Sequence, residues 1–526
     1  MCTTKDRHPL VMANYLGLRG EKLAVARVLL VMLPSFFLYG YNQSAIGGVL
    51  NFTPFVEQFP RIDTATTKGS QKADNSRIQG TVVALYTLGC LIGALTSALI
   101  GNQLGRRRTI LVFAVIAAIG AALKGTSFSL GQLIVGRITA GIGVGGVNAV
   151  LPVWQSECSK PKNRGQSVVV MGIYIASGIA LASWVNFGLS YRQGTSMCWR
   201  LSLSIPIIFS ILICSFTYCF PESPRWLAQR GRMEEAKAVI AVLEDQPAES
   251  EHVAIELDIV RKACDNHGAR ERGFVDLFKM GRERLFYRLS LSVMINFCAQ
   301  MTGANVITYY ASTIFSQSLG FKSHQSSVLA AGLLTWKIVA ASLAYYYIDR
   351  AGRRPLFMTS GFGMGISMMC LAIAVSQLEH PGAGTGATFF LFMFMFFFPL
   401  GFLGANFLYS AEIAPQDLRI HLSAIGTSAH WLFNFVIAEV TPIAFATIGY
   451  KYYIVYACTG VSVLPMVYFL FPETNGRSLE DMDRIFSGPQ HWWQVPSAAE
   501  HLQKSAIVDI ENGDEKIEKF GYVEEA

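Results

Sequence analysis

The chain has 526 residues, of which 52% are hydrophobic and only 15% charged, with a net charge of +7. Soluble proteins carry about a quarter of their residues charged, so this composition excludes an ordinary soluble domain. The positive charge does not point to nucleic acid, because Arg and Lys gather in alternate loops between apolar runs: Arg106 to Arg108, Lys160 to Arg164, the 225–288 segment, Arg350 to Arg354, and Arg419. That placement is a topology signal and predicts that these loops and both termini are cytoplasmic.

In chain order, a polar segment over 1–24 comes first and does not read as a cleavable leader. Twelve apolar runs long enough to cross a bilayer follow, at 25–50, 80–101, 109–126, 130–154, 166–190, 201–220, 289–314, 326–348, 356–377, 387–410, 423–446 and 452–471. The prediction is an all-α membrane protein of twelve transmembrane helices in two six-helix bundles, 25–220 and 289–471. A cytoplasmic linker over 221–288 should hold short amphipathic helices, and the tail over 472–526 should be largely disordered.

The two bundles share phrases at an offset of about 250 residues. Gly105-Arg106-Arg107 returns as Gly352-Arg353-Arg354. Glu157 with Arg164 returns as Glu412 with Arg419. Pro221-Glu222 returns as Pro472-Glu473. Such a duplication predicts pseudo-symmetric halves with a site between them. No enzyme constellation is present. The nine histidines do not cluster, there is no phosphate loop, and no metal or cofactor is expected. Gly141-Ile142-Gly143-Val144-Gly145-Gly146 looks like a dinucleotide fingerprint but lies in an apolar span with no preceding strand, so close helix packing is the expectation. The cysteines, Cys90 and Cys298 among them, read as small apolar residues in spans.

Gly136-Arg137-Ile138-Thr139-Ala140-Gly141, Pro152-Val153-Trp154-Gln155-Ser156-Glu157, Pro221 to Trp226, Asp349 to Arg354 and Pro472 to Glu480, in this order, resemble the sugar porter family of the major facilitator superfamily. The resemblance covers about residues 35–487 and looks fungal, with galacturonate transporters among the similar proteins. It implies a multi-pass plasma-membrane transporter, not an enzyme, whose partners are the lipid bilayer, a small sugar or sugar acid, and a proton. It further implies a cytoplasmic gate of ion pairs between the halves, made by Arg106, Arg107, Arg137, Glu157, Arg164 and Glu222 with Asp349, Arg353, Arg354, Glu412, Arg419 and Glu473. Asn102-Gln103 stands where the family has Asp-Arg, while Asp349-Arg350 keeps it, so the gate should be asymmetric.

By the same resemblance, Gln300, Asn305, Phe407, Trp431, Asn434 and Asn42 bind substrate, and Tyr309 and Tyr310 close the outer gate. Amides both donate to and accept from hydroxyls, and aromatic faces cover a sugar ring. Gly172 and Ile179 replace two family glutamines in the fifth span. Lys337 replaces a family Asn near the middle of the eighth. A lysine there costs about 2.5–3.5 kcal/mol to insert, so it should face a cavity or a partner. Either it binds a substrate carboxylate, or it pairs with Glu439 of the eleventh span. Lys124 could snorkel to the interface. The family's proton-carrying Asp is replaced in Gly40-Tyr41-Asn42-Gln43-Ser44. An amide there suggests facilitated diffusion of a neutral hexose or pentose, whereas an anionic substrate calls for proton symport through Glu439. A non-transporting sugar sensor on the same fold is the remaining alternative.

Overall fold

The computed structural model describes residues 15–64, 66–158, 164–192, 194–268, 274–415, 418–477 and 479–501, with the side chains of 98, 102, 164–169, 262–268, 274, 420, 479–480 and 500–501 outside the description. Among these residues all regular structure is helical. Eleven helices are long and apolar enough to cross a membrane. They form spans 1 to 6 (Gly20–Val49, Gly69–Gly101, Arg106–Gly125, Leu130–Glu157, Val170–Arg192, Met197–Thr217) and spans 8 to 12 (Ser323–Ala351, Arg353–Ser376, Ala383–Glu412, His421–Thr447, Lys451–Leu470).

Span 7 completes the twelve. It is broken into Leu285–Met301 and Ala304–Thr313, and neither piece alone is long enough to cross. The break falls at Gly303, whose φ of +91° is costly for any residue with a Cβ. Span 10 breaks in the same way at Gly404, φ +106°. Backbone freed at membrane depth must find partners inside the protein. Here the Gly303 amide donates to the Gln300 carbonyl at 3.0 Å, and the Gly404 amide to Asn406 Oδ1 at 3.3 Å.

Close helix packing explains the glycine run of span 4. A Cβ on Gly141 or Gly145 would lie 2.2 or 2.1 Å from the carbonyl oxygens of Tyr86 and Cys90 on span 2. One on Gly143 would lie 2.3 Å from the Ala117 amide of span 3. The eight described cysteines are unpaired thiols. The halves meet along span 2 against 11, span 5 against 8, and span 1 against 7.

Between the halves, Pro224–Gln229, Met233–Glu244 and Glu251–Gly268 form a small subdomain around Trp226, Val239, Ile240 and Val253. The tail departs from expectation. Leu479–Ser487 and Val495–His501 are helical, and Ile485, Phe486, Val495 and Ala499 are fully buried. Regular apolar spacing within an otherwise polar stretch accounts for this. Residues 502–526 lie outside the described residues.

Gly145→Leu should force spans 2 and 4 apart at a cost of about 1–3 kcal/mol. It should lower the thermal midpoint of detergent-purified protein by several degrees. Gly131→Leu, where nothing lies within 4 Å of the added Cβ, should leave the midpoint unchanged.

Candidate binding site and charged helix ends

Both breaks sit beside polar side chains that point inward. Gln300, just before the span 7 break, donates through Nε2 to the His430 ring at 2.9 Å and accepts from Asn305 Nδ2. Asn305 Oδ1 accepts from Gln43 Nε2 of span 1 at 2.7 Å. The Tyr309 hydroxyl donates to Asn434 Oδ1 at 3.0 Å, which leaves the buried Asn434 Nδ2 without a partner. Aromatic rings enclose this network. Trp431 meets Tyr39 edge-on at 5.4 Å, and Phe407 of the broken span 10 lies 4.9 Å from His430. Buried polar groups this interlinked hold one another in place when no other partner is present.

Gln300, Asn305, Trp431, Asn434, Tyr309 and Phe407 are therefore brought together. Tyr310 lies beside them, with its hydroxyl on the Ala438 carbonyl at 3.2 Å. A Cβ on Gly47 of span 1 would lie 2.0 Å from the Tyr309 carbonyl, so the halves touch directly there. Three participants were not anticipated from sequence: Tyr39, Gln43 and His430. His430 had a signal, since it is a polar residue next to Trp431 in an apolar span.

Asn42 is a correction. One residue turns a helix by about 100°, so Asn42 and Gln43 cannot share a face. Gln43 takes the interface with the other half. Asn42 turns into its own half, where its Oδ1 accepts from Lys124 Nζ at 2.5 Å. Lys124 is 3% exposed and does not snorkel. Gly172 and Ile179 instead allow close approach. A Cβ on Gly172 would lie 2.5 Å from the Leu403 carbonyl of span 10, and Ile179 packs against Gly40.

Lys337 belongs to the inward stripe of span 8 formed by Ala330, Leu333, Leu334, Ala340, Ala341 and Ala344, and is 1% exposed. Its Nζ lies over the Phe398 ring of span 10 at 4.9 Å, a cation–π contact. The ion pair with Glu439 does not form. Glu439 lies where span 11 meets span 2 and accepts from Thr81 Oγ1 at 2.7 Å, and its buried Oε2 has no hydrogen-bond partner.

At the charged end, the two halves repeat one another. Glu222 accepts from the amides of Arg106 and Arg107 at 3.1 and 3.2 Å, and Glu473 from those of Arg353 and Arg354 at 2.9 and 3.0 Å. Arg106 pairs with Glu157 at 2.8 Å, and Arg353 with Glu412 at 2.9 Å. Carboxylates at the N-termini of spans 3 and 9 also complement the helix dipoles. These described ion pairs run within each half, not between the halves as the sequence reading expected. The reason is connectivity: the partners sit at helix ends of one bundle. Asp349 adds a pair to Arg353 at 3.1 Å. Arg419 begins span 11, and the side chain of Arg164 lies outside those described.

Arg137 does not belong to this cluster. It lies near the opposite end of span 4, about 30 Å along the helix from Glu157. There its Nη2 donates to the Val83 carbonyl at 2.7 Å, over the Tyr86 ring. Two buried arginines escaped the sequence reading. Arg27 binds Gln155 and the Cys158 carbonyl, and Arg288 binds Asp483 at 2.6 Å. Arg27 is the eighth residue of span 1 and Arg288 the fourth of span 7.

The chain is 35% identical over 489 residues to the MFS-type transporter oryC of Aspergillus oryzae, covering 92% of this chain and 88% of that protein. It is 31% identical over 508 residues to the sugar transporter STL1 of Saccharomyces cerevisiae, covering 95% and 88%. Its fold matches the E. coli proton:xylose symporter XylE bound to 6-bromo-6-deoxy-D-glucose, with a TM-score of 0.72 at 24% identity over 88% of this chain and 99% of that one. The family model for sugar (and other) transporters matches residues 28–486. With twelve spans, a duplicated charged end and an amide–aromatic network between the halves, the chain belongs to the sugar transporter family of the major facilitator superfamily.

Proposed function

We propose that this protein carries a sugar acid, galacturonate or a related uronate, across the plasma membrane by alternating access. The supporting observation is Lys337, an inward cation at mid-span with an aromatic partner and no ion pair among the described residues. A carboxylate on the substrate supplies the missing counter-charge. Gln300, Asn305 and the spare Asn434 Nδ2 receive the hydroxyls, and Trp431 and Phe407 cover the ring. Asn42 takes no part in that binding. The charged end faces the cytoplasm with both termini, a placement that the bias of arginines toward cytoplasmic loops supports. There Arg106, Arg107, Glu157, Glu222, Asp349, Arg353, Arg354, Glu412 and Glu473 brace each half, with Arg419 at the start of span 11. Tyr309 and Tyr310 act at the opposite gate.

An anion entering against a negative-inside potential needs a cation. Glu439 is the carboxylate placed to carry a proton: one oxygen is held by Thr81 and the other is free. Facilitative transport of a neutral hexose or pentose is the second reading. It draws on the amide at Asn42, which cannot titrate.

Radiolabelled uptake in a transporter-deficient yeast, over galacturonate, glucose, xylose, lactose and quinate, tests the substrate class. Galacturonate should be taken up, and Lys337→Asn should weaken its apparent affinity about 10- to 100-fold, the loss expected for one charge-assisted contact. Unchanged galacturonate uptake in that variant would remove the reading, and absence of uptake of every sugar would favour a sensor.

Proton flux accompanying uptake, recorded with a pH-sensitive dye, should disappear in Glu439→Gln while substrate exchange persists. Flux that survives the substitution excludes Glu439 as the carrier.

A further inference from the structure

The first half contains a second buried ionisable group that no part of the sugar network uses. Lys124 is the penultimate residue of span 3, at 3% exposure. Span 4 passes it closely, since a Cβ on Gly136 would lie 3.0 Å from Lys124 Cγ. Span 1 supplies Asn42, whose Oδ1 is 2.5 Å from Lys124 Nζ and whose own Nδ2 is committed to the Leu38 carbonyl. From span 4, Arg137 adds a second buried cation, with its Nε unpartnered. From span 6, Arg200 donates to the Gly125 carbonyl next to Lys124. Among the described residues no carboxylate forms an ion pair with Lys124, whose amine is held by Asn42.

Two like charges buried together without a counter-ion are unfavourable. A guanidinium cannot give up its proton, but an ammonium can. The amine is held by an amide oxygen, a partner that accepts from its N–H whether or not it is charged. Asn42 is also next in sequence to Gln43, which bonds to Asn305 of the other half. The span that supplies the Lys124 acceptor therefore also carries a contact between the halves.

We propose that Lys124 is a proton-carrying group of the transport cycle. Its Nζ takes a proton from water when the half is open on one side. It returns that proton to the other side when the halves rearrange, with span 1, which carries both Asn42 and Gln43, linking its charge to contact between the halves. The inference rests on the transporter reading above but not on the identity of the substrate, and Lys124 and Glu439 then act in turn on one coupled proton, so that either variant uncouples transport.

The test uses full-length protein in liposomes with the membrane potential clamped at zero and galacturonate, glucose and xylose as probes. One pH unit of inward gradient should drive about tenfold accumulation for a one-proton cycle. Lys124→Met should abolish that accumulation while substrate counterflow continues, which also shows that the variant is folded. Lys124→Arg, permanently charged, should lose counterflow as well. A merely structural cation predicts the reverse order, with Arg the milder change. Lys124→Met that still accumulates substrate, Lys124→Arg that behaves as wild type, or a wild type that accumulates none of the three probes overturns the proposal. If Lys337→Asn leaves galacturonate uptake intact while Lys124→Met uncouples it, the coupling role stands and the sugar-acid reading falls.

Discussion

Every backbone amide and carbonyl at membrane depth must find a partner within the protein, and that constraint shapes the rest of this structure. Helical hydrogen bonding meets it along most of each span, with an interruption at Ile205 before Pro206 in span 6. Spans 7 and 10 break it at Gly303 and Gly404, and both breaks are repaired by neighbouring groups of the same span. The breaks are also where Gln300, Asn305 and Phe407 reach the interior. Irregular backbone and the candidate site coincide because only a protein-lined interior tolerates either.

The charged end solves a different problem. Gly105 and Gly352 adopt nearly the same positive φ, 86° and 91°, and turn the following amides toward Glu222 and Glu473. Each carboxylate thus ties the start of one span to the end of another in its own half. The bundles are braced separately, each by pairs within its own half. Asp349 strengthens the second brace.

Most of the architecture was legible in the sequence, because hydropathy, charged loops and the duplicated phrases are one-dimensional signals. The broken seventh span was harder. Its apolar run continues through Thr302 and Gly303, and only the backbone angle marks the interruption. The tail helices were hidden by a polar composition that a few apolar residues at helical spacing overcome. Arg137 was misplaced because charge in a sequence motif does not reveal depth in the membrane.

Sequence alone determined that the chain spans the membrane twelve times in two related halves, and which residue types could meet a polyhydroxylated ligand. Tertiary structure decided which of those residues face one another. Asn42 and Gln43 are chemical equivalents one position apart, yet one meets Lys124 and the other Asn305. Lys337 and Glu439 have opposite charges, yet they lie on different interfaces and do not pair. The physical reason is helical rotation and helix order. Each side chain's direction is set by its position on the turn, and its neighbour by which span lies across from it.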